Sequence, residues 1–365
     1  MNDNLIYNLW LTNLKGMGSI RQHTVLDIFG SAKEAYNAAK ADINAMGELS
    51  NAEKSTLCDK SLAAAERIYK ECEKKGIDII DYTSVDYPVL LREIPDYPLI
   101  LYVKGNLGSM ADEFPIAMVG TRRPSVYGRR IAEQFSYELA AAGMTVVSGM
   151  ARGIDSLCHQ GALKAGMKTV AVLGCGVDVV YPPENEQLMR VIESSGAVIS
   201  EYPPGSAPLP AHFPIRNRII CGMSLAAMVV ECSEKSGTMI SANLANEYGR
   251  TVYTVPTNLD NKHGLGNIAL ARDGAKFAYS SEDIYRDFVH VAPKRVVSAL
   301  EKKENNPVNE DDNYILGMLS NSIPTSIDQL CDLCGLTAKE VGAKMTLLEL
   351  QGKISCLSGQ RYVLK

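Results

Sequence analysis

Between residues 115 and 288, short apolar runs rich in β-branched residues alternate with longer stretches of helical pattern. The runs are Ile116–Val119, Thr145–Val147, Thr169–Leu173, Ala197–Ser200, Ala227–Glu231 and Thr251–Val255, with helical stretches such as Arg129–Ala142 and Ile154–Ala165 between them. A strand that is apolar along its length has no face to give to water and must be covered on both sides. Strands of this kind, each followed by a helix, predict a mostly parallel sheet wound on both faces, an α/β fold of Rossmann-like type.

The flanks have a different character. Residues 1–80 read as a small helical domain. Leu5, Leu9, Leu11 and Leu14 precede Lys15-Gly16-Met17-Gly18, and a second apolar helix runs through Val25, Ile28 and Phe29. Helix, Gly-x-Gly turn and helix fit a helix-hairpin-helix module, whose turn can offer backbone N–H groups to a phosphate. A purely structural helical cap on the sheet domain is the reading that one such turn favours. An Ala-rich helix over 51–75 follows and stops at Gly76, a suitable C-cap. Residues 81–288 hold the sheet. The charged, aperiodic stretch 289–312 reads as a linker. Residues 313–365 give helices at Ile315–Leu319, Ser326–Cys334 and Ala338–Gln351, then a hairpin of Lys353–Leu357 and Arg361–Leu364, the pattern of a winged helix.

Charge limits what partner such a chain can take. Thirty-seven Lys and Arg stand against 42 Asp and Glu, a net charge of −5, so any contact with a polyanion must come from a local basic patch. Asn2, Asp3 and Asn4 open the chain without a basic, apolar leader, and no apolar run approaches the ~20 residues of a membrane span. Nine scattered cysteines do not suggest a closed disulfide framework. A cytoplasmic protein with no membrane partner is expected.

Local patches are visible where ligands bind in open parallel sheets, beyond the carboxyl ends of the strands. Gly120, Thr121, Arg122 and Arg123 follow one strand run and precede a helix, joining a small residue to fixed charge. Ser148, Gly149 and Gly153 occupy a second strand-to-helix loop, where small residues free N–H groups for an anion. A third segment, read as a loop, sets Arg216, Asn217 and Arg218 beside Phe213. Ser236, Gly237 and Thr238 form the fourth loop. Together the four point to a polyanion or a nucleotide.

Catalytic alternatives fit less well. The stretch from Gly161 to Gly166 lacks the lysine that a phosphate-binding Walker loop places after its second glycine. Gly174-Cys175-Gly176 has no third glycine on a dinucleotide schedule. Ser148, Asp155 and His159 could be drawn as a triad, but an acidic residue at a helix start is more often a cap. Cys331 and Cys334 sit three apart on a helix face with no second ligand pair, which suits core packing better than zinc. No catalytic residue, cofactor or metal is expected.

These segments, in order, resemble the DprA/Smf family. The resemblance is carried by Gly120-Thr121-Arg122, by the run from Ser148-Gly149 through Gly153-Ile154-Asp155 to His159 and Gly161-Ala162-Leu163, and by Tyr181-Pro182. Ser200-Glu201-Tyr202-Pro203, Phe213-Pro214 with Arg216-Asn217-Arg218, Ser236-Gly237-Thr238 and Glu247 with Gly249-Arg250 extend it over about residues 80–280. It implies a non-enzymatic, cytoplasmic protein that binds single-stranded DNA, forms a homodimer and assists loading of the recombinase RecA during DNA uptake and natural transformation. It assigns DNA contact to the Gly120–Arg122 loop, the Phe213–Arg218 segment and the Ser236–Thr238 loop. Pro183 and Pro210 stand where the family often carries basic residues, which implies a thinner basic groove. The competing resemblance is to nucleoside-monophosphate phosphoribohydrolases, but the double glycine expected before Gly237-Thr238 is missing and Glu247 lies too far along.

Overall fold

The computed structural model describes residues 3–108, 110, 114–288, 315–321, 323–350, 353–357 and 361–364. The linker expected over 289–312 lies outside the described residues. The chain divides into two compact units, Met1–Val297 and Ser298–Lys365.

The first unit opens with six helices: α1 (Asp3–Thr12), α2 (Ser19–Phe29), α3 (Ala32–Asn37), α4 (Lys40–Ala45), α5 (Asn51–Leu57) and α6 (Ala63–Lys75). The single helix expected over 51–75 is therefore two. Ser50 and Glu53 form a reciprocal cap on α5, the chain turns after Cys58, and α6 ends at Gly76 in the left-handed region. Gly16 has φ +81°, which turns the chain tightly between α1 and α2.

The sheet elements then follow: β1 (Asp78–Asp81), α7 (Val89–Arg92), β2 (Ile100–Gly105), β3 (Pro115–Val119), α8 (Val126–Ala141), β4 (Thr145–Ser148), α9 (Ile154–Lys164), β5 (Thr169–Val172), α10 (Glu186–Ser195), β6 (Ala197–Ser200), α11 (His212–Gly222), β7 (Ala226–Val229), α12 (Gly237–Glu247), β8 (Thr251–Thr254), α13 (Leu265–Arg272), β9 (Lys276–Phe277) and α14 (Ser281–Phe288). The nine strands lie in the order β1-β2-β6-β5-β4-β3-β7-β8-β9. From β6 to β9 they run parallel, while β2 is antiparallel to β6 and β1 to β2. Strands β3, β4, β5, β6 and β7 are buried at every residue, as their unbroken apolar runs require. The chain winds outward from β3 in one direction as far as β6, then returns to the other side of β3 for β7. That reversal opens a crevice between the loops after β3 and β7.

The N-terminal helices share a core with the sheet. Leu9, Trp10 and Val25 belong to one buried cluster with Ile100, Tyr102, Leu173 and Val198. The expected boundary at residue 80 is thus a change of secondary structure within one packed body.

The second unit contains β10 (Thr325–Ser326), α15 (Ile327–Cys334), α16 (Ala338–Leu350), β11 (Ile354–Leu357) and β12 (Arg361–Leu364). Its strands form a sheet in the order β10-β12-β11, the wing of a winged helix. Ser326 and Gln329 cap α15 reciprocally, and Gly335 ends it. Cys331 and Cys334 pack half-buried against the core of Leu330, Val341, Met345 and Ile354.

A candidate nucleic-acid interface

The carboxyl ends of β3, β4, β5 and β7 surround a cavity of about 670 Å³. Of the residues expected to bind an anion, it gathers Gly120, Thr121, Arg122, Arg123, Phe213, Arg216, Asn217, Ser236, Gly237 and Thr238. The loops after β3, β4 and β7 span 120–125, 149–153 and 230–236, and each leads into a helix. Ser125 caps α8 by accepting from the N–H of Gly128 at 3.0 Å. A Cβ on Gly120 would stand 2.5 Å from Ile154 Cγ1, so glycine is what lets the start of α9 close on the β3 loop. Gly153, with φ +80°, brings the β4 loop against the same segment, where a Cβ would stand 2.5 Å from Thr121 O.

Four expected residues are placed elsewhere. Ser148 is fully buried and donates its hydroxyl to Met118 O at 2.6 Å, tying β4 to β3. It is far from a nucleophile's situation. Gly153 shapes the loop from behind. Gly149 lines a small adjoining pocket together with Arg122, Phe213 and Arg216. Arg218, only 3% exposed, lines a separate cavity and pairs with Glu201, with Asp96 at 3.5 Å. The segment from Phe213 to Arg218, expected as a loop, is the start of helix α11. Helical spacing explains the split, because residues two apart on a helix face different directions.

Arg122 and Arg123 are both exposed at the site, and the Arg122 guanidinium stands 5.8 Å from the centre of the Phe213 ring. Arg216 approaches the same ring at 6.0 Å, but it is buried and committed to the backbone. Its Nη1 donates to Gly149 O at 2.6 Å and also to Val172 O. Burial pulls the Arg216 guanidinium below its ordinary value, and Asp155 opposes that pull. Asp155, a cavity residue overlooked as a ligand neighbour by sequence, accepts from the N–H of Ala151 at 3.3 Å. Burial raises its carboxyl to about 6, against the lowering influence of Arg216, the N–H groups of Ala151 and Gly149, and Arg122. His159 is fully buried, bonded through Nδ1 to Thr169 Oγ1 at 2.8 Å, and lowered to about 3 by burial and then by Arg216. Ser148, Asp155 and His159 therefore serve three separate packing tasks.

Two further residues complete the site. Tyr181 stands 5.3 Å from Phe213 at an interplanar angle of 32°, extending the aromatic surface. Glu231, at the end of the β7 run, accepts from Ser125 N at 2.7 Å, Ser125 Oγ at 2.6 Å and Asn261 Nδ2 at 3.1 Å. It fastens the β3 loop across the crevice. No pattern in the sequence marks that partner, since Ser125 and Glu231 are 106 positions apart.

Fold and site define an α/β sheet protein with a basic and aromatic cavity at its carboxyl edge, joined in sequence to a winged helix. The chain belongs to the DNA recombination-mediator protein A family, that is DprA/Smf: the model of that description matches residues 78–289, and the DprA winged helix domain matches residues 301–360. Protein Smf of Synechocystis is 34% identical over 80% of this chain and 81% of its own length. DNA processing protein DprA of Bacillus subtilis is 37% identical over 64% of this chain and 78% of its own. Among solved structures, DNA processing protein A from Streptococcus pneumoniae superposes with a TM-score of 0.68 at 30% identity, covering 78% of this chain and 98% of that one. DNA processing protein A from Helicobacter pylori, whose structure describes a single-stranded DNA binding mode, gives a TM-score of 0.54 at 26% identity over 59% and 97%. Among the described residues no helix is long and apolar enough to cross a membrane.

Proposed function

We propose that this protein binds single-stranded DNA along the carboxyl edge of its sheet and handles that strand without chemical change. One observation carries the reading: the Phe213 ring, half-buried in the cavity, flanked by exposed Arg122 and buried Arg216. An aromatic face beside a fixed cation suits an unpaired base and its phosphate, whereas bases stacked in a duplex cannot reach it. The single-stranded DNA binding described for the Helicobacter pylori relative supports the same ligand. Gly120, Thr121 and Arg122, the start of α11, and Ser236, Gly237 and Thr238 are the assigned contacts. In this reading the protein acts in DNA uptake and recombination, protects the incoming strand as a homodimer, and passes it to RecA.

The test is fluorescence anisotropy with an oligo-dT and a duplex of equal length across a salt series. Single-stranded affinity should exceed duplex affinity and fall by ~0.7 log unit per log unit of salt for each phosphate neutralised. Equal affinities, or indifference to salt, would overturn the assignment. Incubation with AMP, followed for released adenine, separates the hydrolase alternative.

A further inference from the structure

A second cavity, about 880 Å³, lies between the N-terminal helices and the sheet. Its walls include Gly18, Ser19, Ile20 and Arg21 at the start of α2, and Tyr202, His212, Ile215 and Arg218 from the sheet side. Pro214 and Ile240 line both this cavity and the one holding Arg122, so the two adjoin. We propose that the second cavity is a further nucleotide subsite, and that a strand leaving Phe213 crosses Pro214 and Ile240 to enter it. This rests on the single-stranded DNA reading above.

Three features fit an unpaired nucleotide. Arg218 is 3% exposed, yet its Nη1 makes no hydrogen bond among the described residues, leaving a buried donor for a base oxygen. Asp96 and Glu201, which face its other nitrogens, balance its charge and make a base edge a better guest there than a phosphate. Tyr202 and His212 stack at 3.9 Å and 13°, placing a flat aromatic surface on the wall next to Phe213 in sequence. The phosphate has its own place: α2 starts at Gly18 with no side-chain cap, so its first N–H groups and dipole are open to an anion. The exposed faces of Ile20, Ile215 and Ile240, at 67%, 45% and 43%, supply apolar surface between these points.

The experiment compares full-length parent and Ile20→Asp for binding to oligo-dT of ~5 and ~15 nucleotides, lengths spanning the usual single-strand site range. Aspartate at the second residue of a helix favours the helix, so the variant should melt like the parent. Its carboxylate repels a phosphate at the start of α2. The longer oligonucleotide should bind the variant about tenfold more weakly, while the shorter one, held by the Phe213 cavity, binds both alike. Parent binding that does not strengthen from the short to the long oligonucleotide would overturn the subsite and leave the first cavity's role intact. So would unchanged binding of the long one by Ile20→Asp, which would turn attention to a protein segment for the apolar surface. Failure of both lengths to bind the parent would overturn the parent reading itself.

Discussion

The Arg216 guanidinium donates to Gly149 O at 2.6 Å, and a Cβ on Gly149 would stand 2.7 Å from that same guanidinium. The arginine is a strut between the β4 loop and the end of β5, where Val172 O also accepts from it. Arg216→Lys should therefore lower stability before it touches ligand binding. A lysine keeps the charge, but its flexible stem does not carry a rigid planar guanidinium that sets one nitrogen between Gly149 O and Val172 O and fills the buried space around it. A loss of ~2–4 kcal/mol is expected from unsatisfied carbonyls and a poorly matched buried charge. Urea unfolding measures it, and an unchanged midpoint would show the strut to be idle.

Arg122 makes the opposite case. It is exposed at the cavity and 5.8 Å from Phe213. Arg122→Ala should melt like the parent and bind single-stranded DNA more weakly whatever the sequence. The salt slope should flatten by ~0.7, the share of one phosphate. Anisotropy at several salt concentrations reads both quantities, and an unchanged slope would remove Arg122 from the phosphate contacts.

The contrast between these two arginines marks how far the sequence could be read. Apolar runs located all six central strands to within about one or two residues, because a strand covered on both faces cannot hide its composition. Small residues and arginines after strands located the cavity. The distinction between Arg122, Arg216 and Arg218 was not legible, since all three are arginines within two residues of a glycine, proline or asparagine. Exposure separates them, and exposure is decided by where Gly149, Val172 and Glu201 arrive from distant parts of the chain. The shared core of Leu9 and Trp10 with Tyr102 was hidden for the same reason.

Asp155 and His159 give stability opposite pH dependences. Asp155 has a folded value of about 6 against 3.8, so the folded state holds its proton more tightly and stability falls as pH rises from ~4 to ~6. His159 has a folded value of about 3 against 6.5, so its contribution is complete above pH ~6.5 and is lost as pH falls toward ~3. Between ~4 and ~6 the two offset each other. Asp155→Asn removes one side, and its stability should drop on acidification more steeply than the parent's, by up to ~1.4 kcal/mol per pH unit for one proton. Parallel curves for the two proteins would contradict this.

The winged helix should contribute little to strand affinity. Helix α16, which stands where such modules read duplex DNA, carries Lys339 and Lys344 against Glu340 and Glu349. A chain ending at Phe288 retains every residue lining the Phe213 cavity. Its affinity for oligo-dT should differ from the full chain's by under ~1 kcal/mol. Lost binding in a truncated protein that still melts cooperatively would place the DNA contact in the second unit.

Phe213 offers the sharpest separation of base contact from charge. Its ring neighbours Tyr181 at 5.3 Å and lies near both Arg122 and Arg216, at the first turn of α11. Phe213→Leu keeps an apolar side chain but removes the π-face. Loss of one stacked base costs ~1–3 kcal/mol, so affinity should fall by about tenfold or more. Phe213→Trp, which keeps a flat ring, should restore most of it. Neither variant removes a phosphate contact, so the salt slope should stay at the parent's value while the whole line moves down. Arg122→Ala changes that slope, and the two variants together therefore distinguish stacking from charge neutralisation. A Phe213→Leu protein that melts normally and binds as tightly as the parent would mean that no base rests on this ring.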